Sequence, residues 1–265
     1  MIKELVKHYS EVITLFGYMP NKTPWKDLVL KVLGCPSLIR RIQAPVVMKM
    51  LSPKESEMIL DVGCGSGFFT YEIARKCKIS IGIDCALNRE LSFVANEQPN
   101  VVYLRGDVQA LPLLSGKFDK ILLSSVLQMV ENDKAVLREC HRVLQRAGIL
   151  VLSVPVGYCY LKKLNQSKPQ LKKKFGAKGK AYYELNVVIE LLQNEGFEVM
   201  EVEYSPKKLG SVIFEIGLSL WYHFGFPFFN PFLFLVCYPI AYFDNFADSK
   251  QIGNEVIIEA MKVSR

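Results

Sequence analysis

Residues 59–70, reading ILDVGCGSGFFT, constrain the chain more than any other stretch. Ile59, Leu60 and Val62 read as a buried strand, and a helical pattern starts at Phe68. Between them glycine stands at alternate positions, Gly63, Gly65 and Gly67. A ligand lying across such a turn approaches the backbone closely, and a Cβ would block it or forbid the positive φ the turn needs. The helix that follows directs its free N–H groups toward whatever occupies the turn. These features alone indicate a nucleotide or nucleoside site. A dinucleotide fingerprint, G-x-G-x-x-G, would place its third glycine on Phe68. That mismatch disfavours a nicotinamide oxidoreductase.

Preceded by an acid, the pattern Asp61-x-Gly63-x-Gly65-x-Gly67 resembles motif I of the class I S-adenosylmethionine-dependent methyltransferases, in particular their type 11-like members. Three further stretches agree in order and spacing. Ile79 to Asp84 (ISIGID) reads as a second strand ending in an acid. Gly106-Asp107 follows the apolar run VVYL and leads into Leu111-Pro112-Leu113. Phe118-Asp119 opens KILLSSVL, similar to the fourth motif, with Ser124 and Ser125 at the ligand edge. The resemblance spans residues 45–155 and implies S-adenosylmethionine as cofactor.

The implied fold is α/β, a Rossmann-like three-layer α/β/α sandwich. Its seven-stranded, mostly parallel sheet is ordered 3-2-1-4-5-7-6 with the last strand antiparallel. The implied ligand roles place Gly63, Gly65 and Gly67 along the methionine portion, with Asp61 holding its amino end. Asp84 takes the ribose, and Asp107 with Val108 takes the adenine. Cys64 and Cys85 sit at strand ends as small packing residues beside the ligand; a reactive-thiol reading lacks a base or resolving partner.

No catalytic residue follows from the resemblance. Where many small-molecule members carry a histidine, this chain reads SSVLQMVEN, with Gln128 and Met129. The Asn/Asp-Pro-Pro-aromatic signature of adenine and glutamine N-methylation is missing as well, which disfavours nucleic acid as substrate.

Residues 1–52 read as an N-terminal helical cap and 53–265 as the cofactor domain. In the cap, Ile2, Leu5, Val6, Tyr9, Val12, Ile13 and Phe16 share one helical face, and later helices run from Trp25 to Leu33 and from Leu38 to Leu51. His8 reads as a surface residue of the first helix. Further helices are expected over Phe68–Lys76, Ala86–Asn96, Asn132–Leu144 and Tyr182–Glu195. Strands are expected over Gly148–Val154, Phe197–Tyr204 and Asn254–Met261. His141 reads as a solvated or capping residue.

About fifty residues separate the last two strands, where a hairpin needs a handful. This insertion, residues 205–250, contains the run Ile216 to Phe243, which holds no Asp, Glu, Lys or Arg and is rich in aromatics. Pro227, Pro231 and Pro239 cut it into pieces too short to span hydrocarbon as a straight helix. Two short helices, Ser211–Phe226 and Asn230–Phe243, could dip into one leaflet, cover the cleft as a lid or dimer contact, or dock a partner protein. His223 within the run reads as a packing residue or, facing the sulfonium, a base.

The net charge of +7 is unevenly placed, with eight lysines and no acid between Leu161 and Lys180. Those lysines, with Lys207 and Lys208, suit anionic lipid if they are not simply a solvated loop. Seven cysteines without regular spacing give neither a disulfide framework nor a metal-ligand pair, and the N-terminus lacks a signal-type cleavage site.

The expected protein is therefore a cytoplasmic methyltransferase, peripheral on the inner face of the membrane. It would act on a hydrophobic or lipid-linked small molecule and leaves its oligomeric state open. The alternative is a non-catalytic binding module that docks a partner through the insertion.

Overall fold

The computed structural model describes residues 38–65, 67–86, 99–156, 182–224, 239–240, 243–244 and 252–263. The first two N-terminal helices, the helix over 86–96 past residue 86, the lysine segment 161–180 and the run 225–238 lie outside them.

In chain order the described elements are α1 (Leu38–Leu51), β1 (Met58–Val62), α2 (Phe68–Ala74), β2 (Ile79–Asp84), β3 (Val101–Arg105) and β4 (Phe118–Ser124). A 3-10 turn (Leu127–Met129) precedes α3 (Asp133–Val143), β5 (Leu144–Pro155), α4 (Leu185–Asn194), β6 (Phe197–Tyr204), α5 (Lys208–Phe224) and β7 (Glu255–Lys262). They divide into two compact units. One is built on Val46–Gly157, Gly176–Glu203 and Glu255–Arg265, the other on Met1–Pro45, Tyr158–Phe175 and Tyr204–Asn254.

The first unit holds the sheet, ordered β3-β2-β1-β4-β5-β7-β6. Strands β1 to β5 run parallel, while β7 lies antiparallel to β5, pairing Ile149 with Met261 and Pro155 with Glu255. This is the order the family resemblance implies. Its apolar strands are covered on both faces, as parallel sheets require; Ile59, Leu60, Val62, Ile121, Leu122, Leu150, Val151 and Leu152 are all buried. The order reverses between β1 and β4, so the crevice at that edge is where α/β sheets bind ligands. Because β7 is antiparallel, its first residue, Glu255, shares that edge.

Helix α3 shows how local sequence and packing agree. The Asn132 side-chain oxygen accepts a hydrogen bond from the Ala135 N–H at 3.0 Å, the expected N-cap, and Val136, Leu137, Cys140 and Val143 are buried. Two boundaries differ from expectation. Strand β5 begins at Leu144, paired with Phe118, and a register shift before the Lys120–Ile149 pair absorbs the extra residues, with Ala147 at φ 56°. Helix α4 begins at Leu185 because Tyr183 bridges Val156 in extended form, its N–H donating to the Pro155 carbonyl at 2.9 Å.

The second unit carries α5, whose base is polar. Lys207, Ser211, Glu215 and Asp244 are buried, and Asp244 accepts the Gly210 N–H at 2.8 Å. Ser211 donates to the Pro206 carbonyl and accepts the Asn254 N–H. Lys207, expected at a lipid surface, is only 3% exposed, while Lys208 is exposed. The pair therefore presents one charge to solvent. Among the described residues no helix is long and apolar enough to cross a membrane.

Candidate cofactor site

The turn after β1 is fixed by its own backbone. The N–H groups of Gly63 and Cys64 both donate to the Ile83 carbonyl on β2, at 2.7 and 3.1 Å, and Gly67 donates to the Cys64 carbonyl at 2.9 Å. Gly63, Gly65 and Gly67 adopt φ of 71°, 51° and 75°, the left-handed region. Their environments separate two reasons for glycine. A Cβ at Gly63 would stand 2.4 Å from Cγ2 of Val126, so protein packing forbids it. At Gly65 nothing among the described residues lies within 4 Å of that position. Its open side is the face a ligand would lie against.

Asp84, at the end of β2, closes the turn from the neighbouring strand. One carboxylate oxygen accepts the Gly65 N–H at 2.9 Å, and the other accepts the Ala86 N–H at 3.0 Å. A carboxylate offers about four lone-pair directions, which leaves acceptor capacity for a pair of hydroxyls. Asp61 lies beneath the turn at 2% exposure and accepts the Thr70 hydroxyl at 2.6 Å, tying β1 to α2. Asp107 is exposed past the end of β3, one oxygen accepting the Gln109 N–H at 2.8 Å, and Val108 beside it is buried.

Cys64 is buried in the turn, and burial, with the charges of Asp61 and Asp84, pushes its thiol well above the ordinary range. Cys85 is exposed and is pushed the same way, by partial burial first and Asp84 next. Neither has the lowered pKa of a reactive thiol. Ser124 is buried, its hydroxyl 3.2 Å from that of Ser153. Ser125 leaves the strand with φ 53°, and its hydroxyl donates to Glu255.

The structure thus gathers the predicted residues along one edge in two groups. Asp61, Gly63, Cys64, Gly65, Gly67 and Asp84 form the turn, with Asp107 and Val108 after the adjacent β3; Ser124 and Ser125 stand on the other side, after β4. His141 is remote from both, packed edge-on against Phe197 with 5.4 Å between ring centroids. Its Nε2 lies 3.3 Å from the Val263 carbonyl. His8 and the side chain of His223 lie outside the described residues.

Three features escape sequence reasoning. Thr70 holds Asp61. Arg142 and Glu139 on α3 clamp the loop after Asp107: Arg142 donates to the Leu111 and Leu113 carbonyls at 2.9 and 2.7 Å, and Glu139 accepts the Leu111 N–H at 2.7 Å. Glu255 gathers Ser125, just after β4, and Ser153 of β5. Only the last left a signal, an acid opening a strand whose next three residues are apolar.

Residues 60–152 match the family model described as a methyltransferase domain. Over those residues the chain is similar to methyltransferase domains. A solved S-adenosylmethionine-dependent methyltransferase from Mesorhizobium loti has the same fold, with TM-score 0.56 and 18% identity over 85% of this chain and 100% of that one. An uncharacterized protein of Methanocaldococcus jannaschii is 30% identical over 140 residues, 52% of this chain and 63% of its own length. A demethylmenaquinone methyltransferase of Corynebacterium kroppenstedtii is 30% identical over 155 residues, 57% of this chain and 64% of its own. This chain thus spans less than two thirds of those curated relatives.

Its residues fit S-adenosylmethionine. The cradle at Gly65 is open where a side chain would fill it; the carboxylate of Asp84 ends β2 beside the turn and that of Asp107 follows β3, as a nucleoside with donor hydroxyls and a donor amino group needs.

Proposed function

We propose that this domain transfers a methyl group from S-adenosylmethionine to a hydrophobic or lipid-linked small-molecule acceptor, as a peripheral protein at a membrane surface. The observation that carries the transferase reading is the glycine turn, open at Gly65 and closed by Asp84. Bound there, S-adenosylmethionine supplies a methyl group on a positively charged sulfur.

In this reading the backbone of Gly63, Gly65 and Gly67 lies along the methionine portion. Asp61, held by Thr70, favours the amino end from beneath. Asp84 accepts the ribose hydroxyls while it keeps the turn closed, Asp107 with Val108 takes the adenine, and Cys64 and Cys85 pack beside the ligand. Ser124 and Ser125 border the acceptor side. The protein's contribution is alignment and exclusion of water, since the leaving group is already activated.

An apolar acceptor is supported by the second unit, where Leu209, Ile216, Ile240 and Phe243 are exposed, Phe243 at 69%. The charge-free run through which they continue supports it too, as does the relative named for demethylmenaquinone. With Lys208 and the lysines of 161–180, this chemistry suits an anionic lipid surface.

Incubation of the full chain with S-adenosylmethionine and a lipid extract should yield S-adenosylhomocysteine. Tight cofactor binding with no product from any lipid fraction would instead make the domain a binding module. Sedimentation with anionic liposomes, lost on deletion of residues 212–243, tests the membrane part.

A further inference from the structure

On the acceptor side of the sheet edge, one carboxylate is set apart from the cofactor turn. Glu255, the first residue of β7, pairs with Pro155, yet its side chain reaches back across β5. The Ser153 hydroxyl donates to its Oε1 at 3.1 Å, and the Ser125 hydroxyl donates to the same oxygen. Ser125 directly follows β4, and its neighbour Val126 is the residue against which Gly63 packs. About one strand spacing, roughly 4.8 Å, separates the ends of β4 and β1. The carboxylate therefore lies beside the cofactor turn, on the side opposite Asp84.

Glu255 is 9% exposed, and the hydroxyls of Ser125 and Ser153 both reach its Oε1. A second acceptor stands in the turn that follows Ser125: the buried Oε1 of Gln128 has no hydrogen-bond partner among the described residues. An amide oxygen withdrawn from water without a donor is costly, and a ligand that supplies one recovers that cost. Ser125 itself is kept at φ 53°, a conformation that a non-glycine residue holds only where its surroundings impose it.

We propose that Glu255 recognises the methyl acceptor through a hydrogen-bond donor, an alcohol, phenol or amine N–H, and refuses acceptors that present a free carboxylate or phosphate. This deepens the transferase reading and rests on it. The same oxygen atoms that welcome an O–H or N–H repel the lone pairs and charge of an anion, so the selection works in both directions.

Three amphiphilic probes test it: para-octylphenol, its methyl ether para-octylanisole, and octanoate. They are titrated calorimetrically into the full chain, with and without S-adenosylhomocysteine. The phenol should bind at least about tenfold more tightly than the ether or octanoate, the gain of a hydrogen bond to a charged acceptor. Glu255→Gln should narrow the preference over octanoate about tenfold, because an amide gives the anion a donor, while S-adenosylhomocysteine affinity stays the same. Glu255→Asp, which keeps the charge but withdraws it by one methylene, should narrow the phenol-to-ether ratio and covers the case in which the glutamine variant does not fold. Equal binding of the three probes by the wild type, or ratios unchanged in both variants, would overturn the assignment. A wild type that takes no S-adenosylhomocysteine but still prefers the phenol overturns the cofactor reading and leaves Glu255 in its role.

Discussion

The glycine turn with Asp84 and the cluster of Ser125, Ser153 and Glu255 share one edge of one sheet, yet they are assembled differently. The turn is local. Its members lie within residues 61–86, and most of its bonds run between backbone groups of β1, β2 and the residues between them. The acceptor-side cluster draws on residues 125, 153 and 255: the Ser125 N–H donates to the Ser153 carbonyl at 2.9 Å, and side chains join both residues to Glu255. A site whose parts are near one another in the chain can be written as a short motif. A site whose parts come from three stretches far apart in the chain depends on the whole sheet being formed.

The sharpest way to break this contrast is within the turn. Gly63→Ala sets a Cβ against buried Val126 at a left-handed φ, and it should destabilise the fold by about 3 kcal/mol in urea unfolding. Gly65→Ala meets no atom among the described residues and should cost only about 1 kcal/mol. It should nonetheless abolish measurable S-adenosylmethionine binding by calorimetry. Equal destabilisation by the two would mean that the turn is shaped by packing alone.

Next in size, Asp84→Ala removes the acceptor of the Gly65 N–H and, in the proposed reading, that of the ribose hydroxyls. Cofactor affinity should fall between about tenfold and a hundredfold, the loss of about 1.5–3 kcal/mol in charge-assisted bonding. Unchanged affinity would detach Asp84 from the ligand.

The clamp on the adenine-side loop predicts a smaller, pH-dependent effect. The Arg142 guanidinium, by its hydrogen bonds, holds the Glu139 carboxyl below the usual range. A folded-state pKa below the unfolded value means that the stabilisation is complete above the unfolded value, about 4.3, and is lost as pH falls through the folded one. The stability difference between wild type and Glu139→Gln should therefore be constant at neutral pH and shrink in acid. A difference that grows in acid would reverse the assignment.

The smallest effect is expected on the acceptor side. Tyr183 donates to the Leu127 carbonyl at 3.2 Å, and burial raises its phenol well above the usual range. Tyr183→Phe should cost about 1 kcal/mol of stability and leave cofactor affinity unchanged. A large loss of affinity would show that the two regions are coupled more tightly than their separate construction implies.

Legibility followed the same division. The glycine turn, the acids at the ends of β2 and beyond β3, and the Asn132 cap are written in consecutive residues, so periodicity and motif spacing reach them; strand order was implied by the family resemblance those motifs carry. Tyr183 was placed in a helix because its neighbours are helical; the structure gives it to Val156 instead, where a backbone hydrogen bond and a buried phenol outweigh local pattern. Lys207 belongs by sequence to a basic pair suited to anionic lipid, yet the base of α5 buries it among polar groups.

By itself the sequence determined the apolar strands and the elbow between β1 and α2, because apolar runs and glycines restrict the backbone residue by residue, and the order of the strands came with the family resemblance. Only the tertiary structure decided that Asp61 is locked beneath the elbow by Thr70, that Arg142 and Glu139 brace the loop after Asp107, and that Glu255 faces Ser125 and Ser153. Those contacts join residues whose separation along the chain carries no information about their separation in space, and the antiparallel return of β7 is what brings the last of them to the working edge.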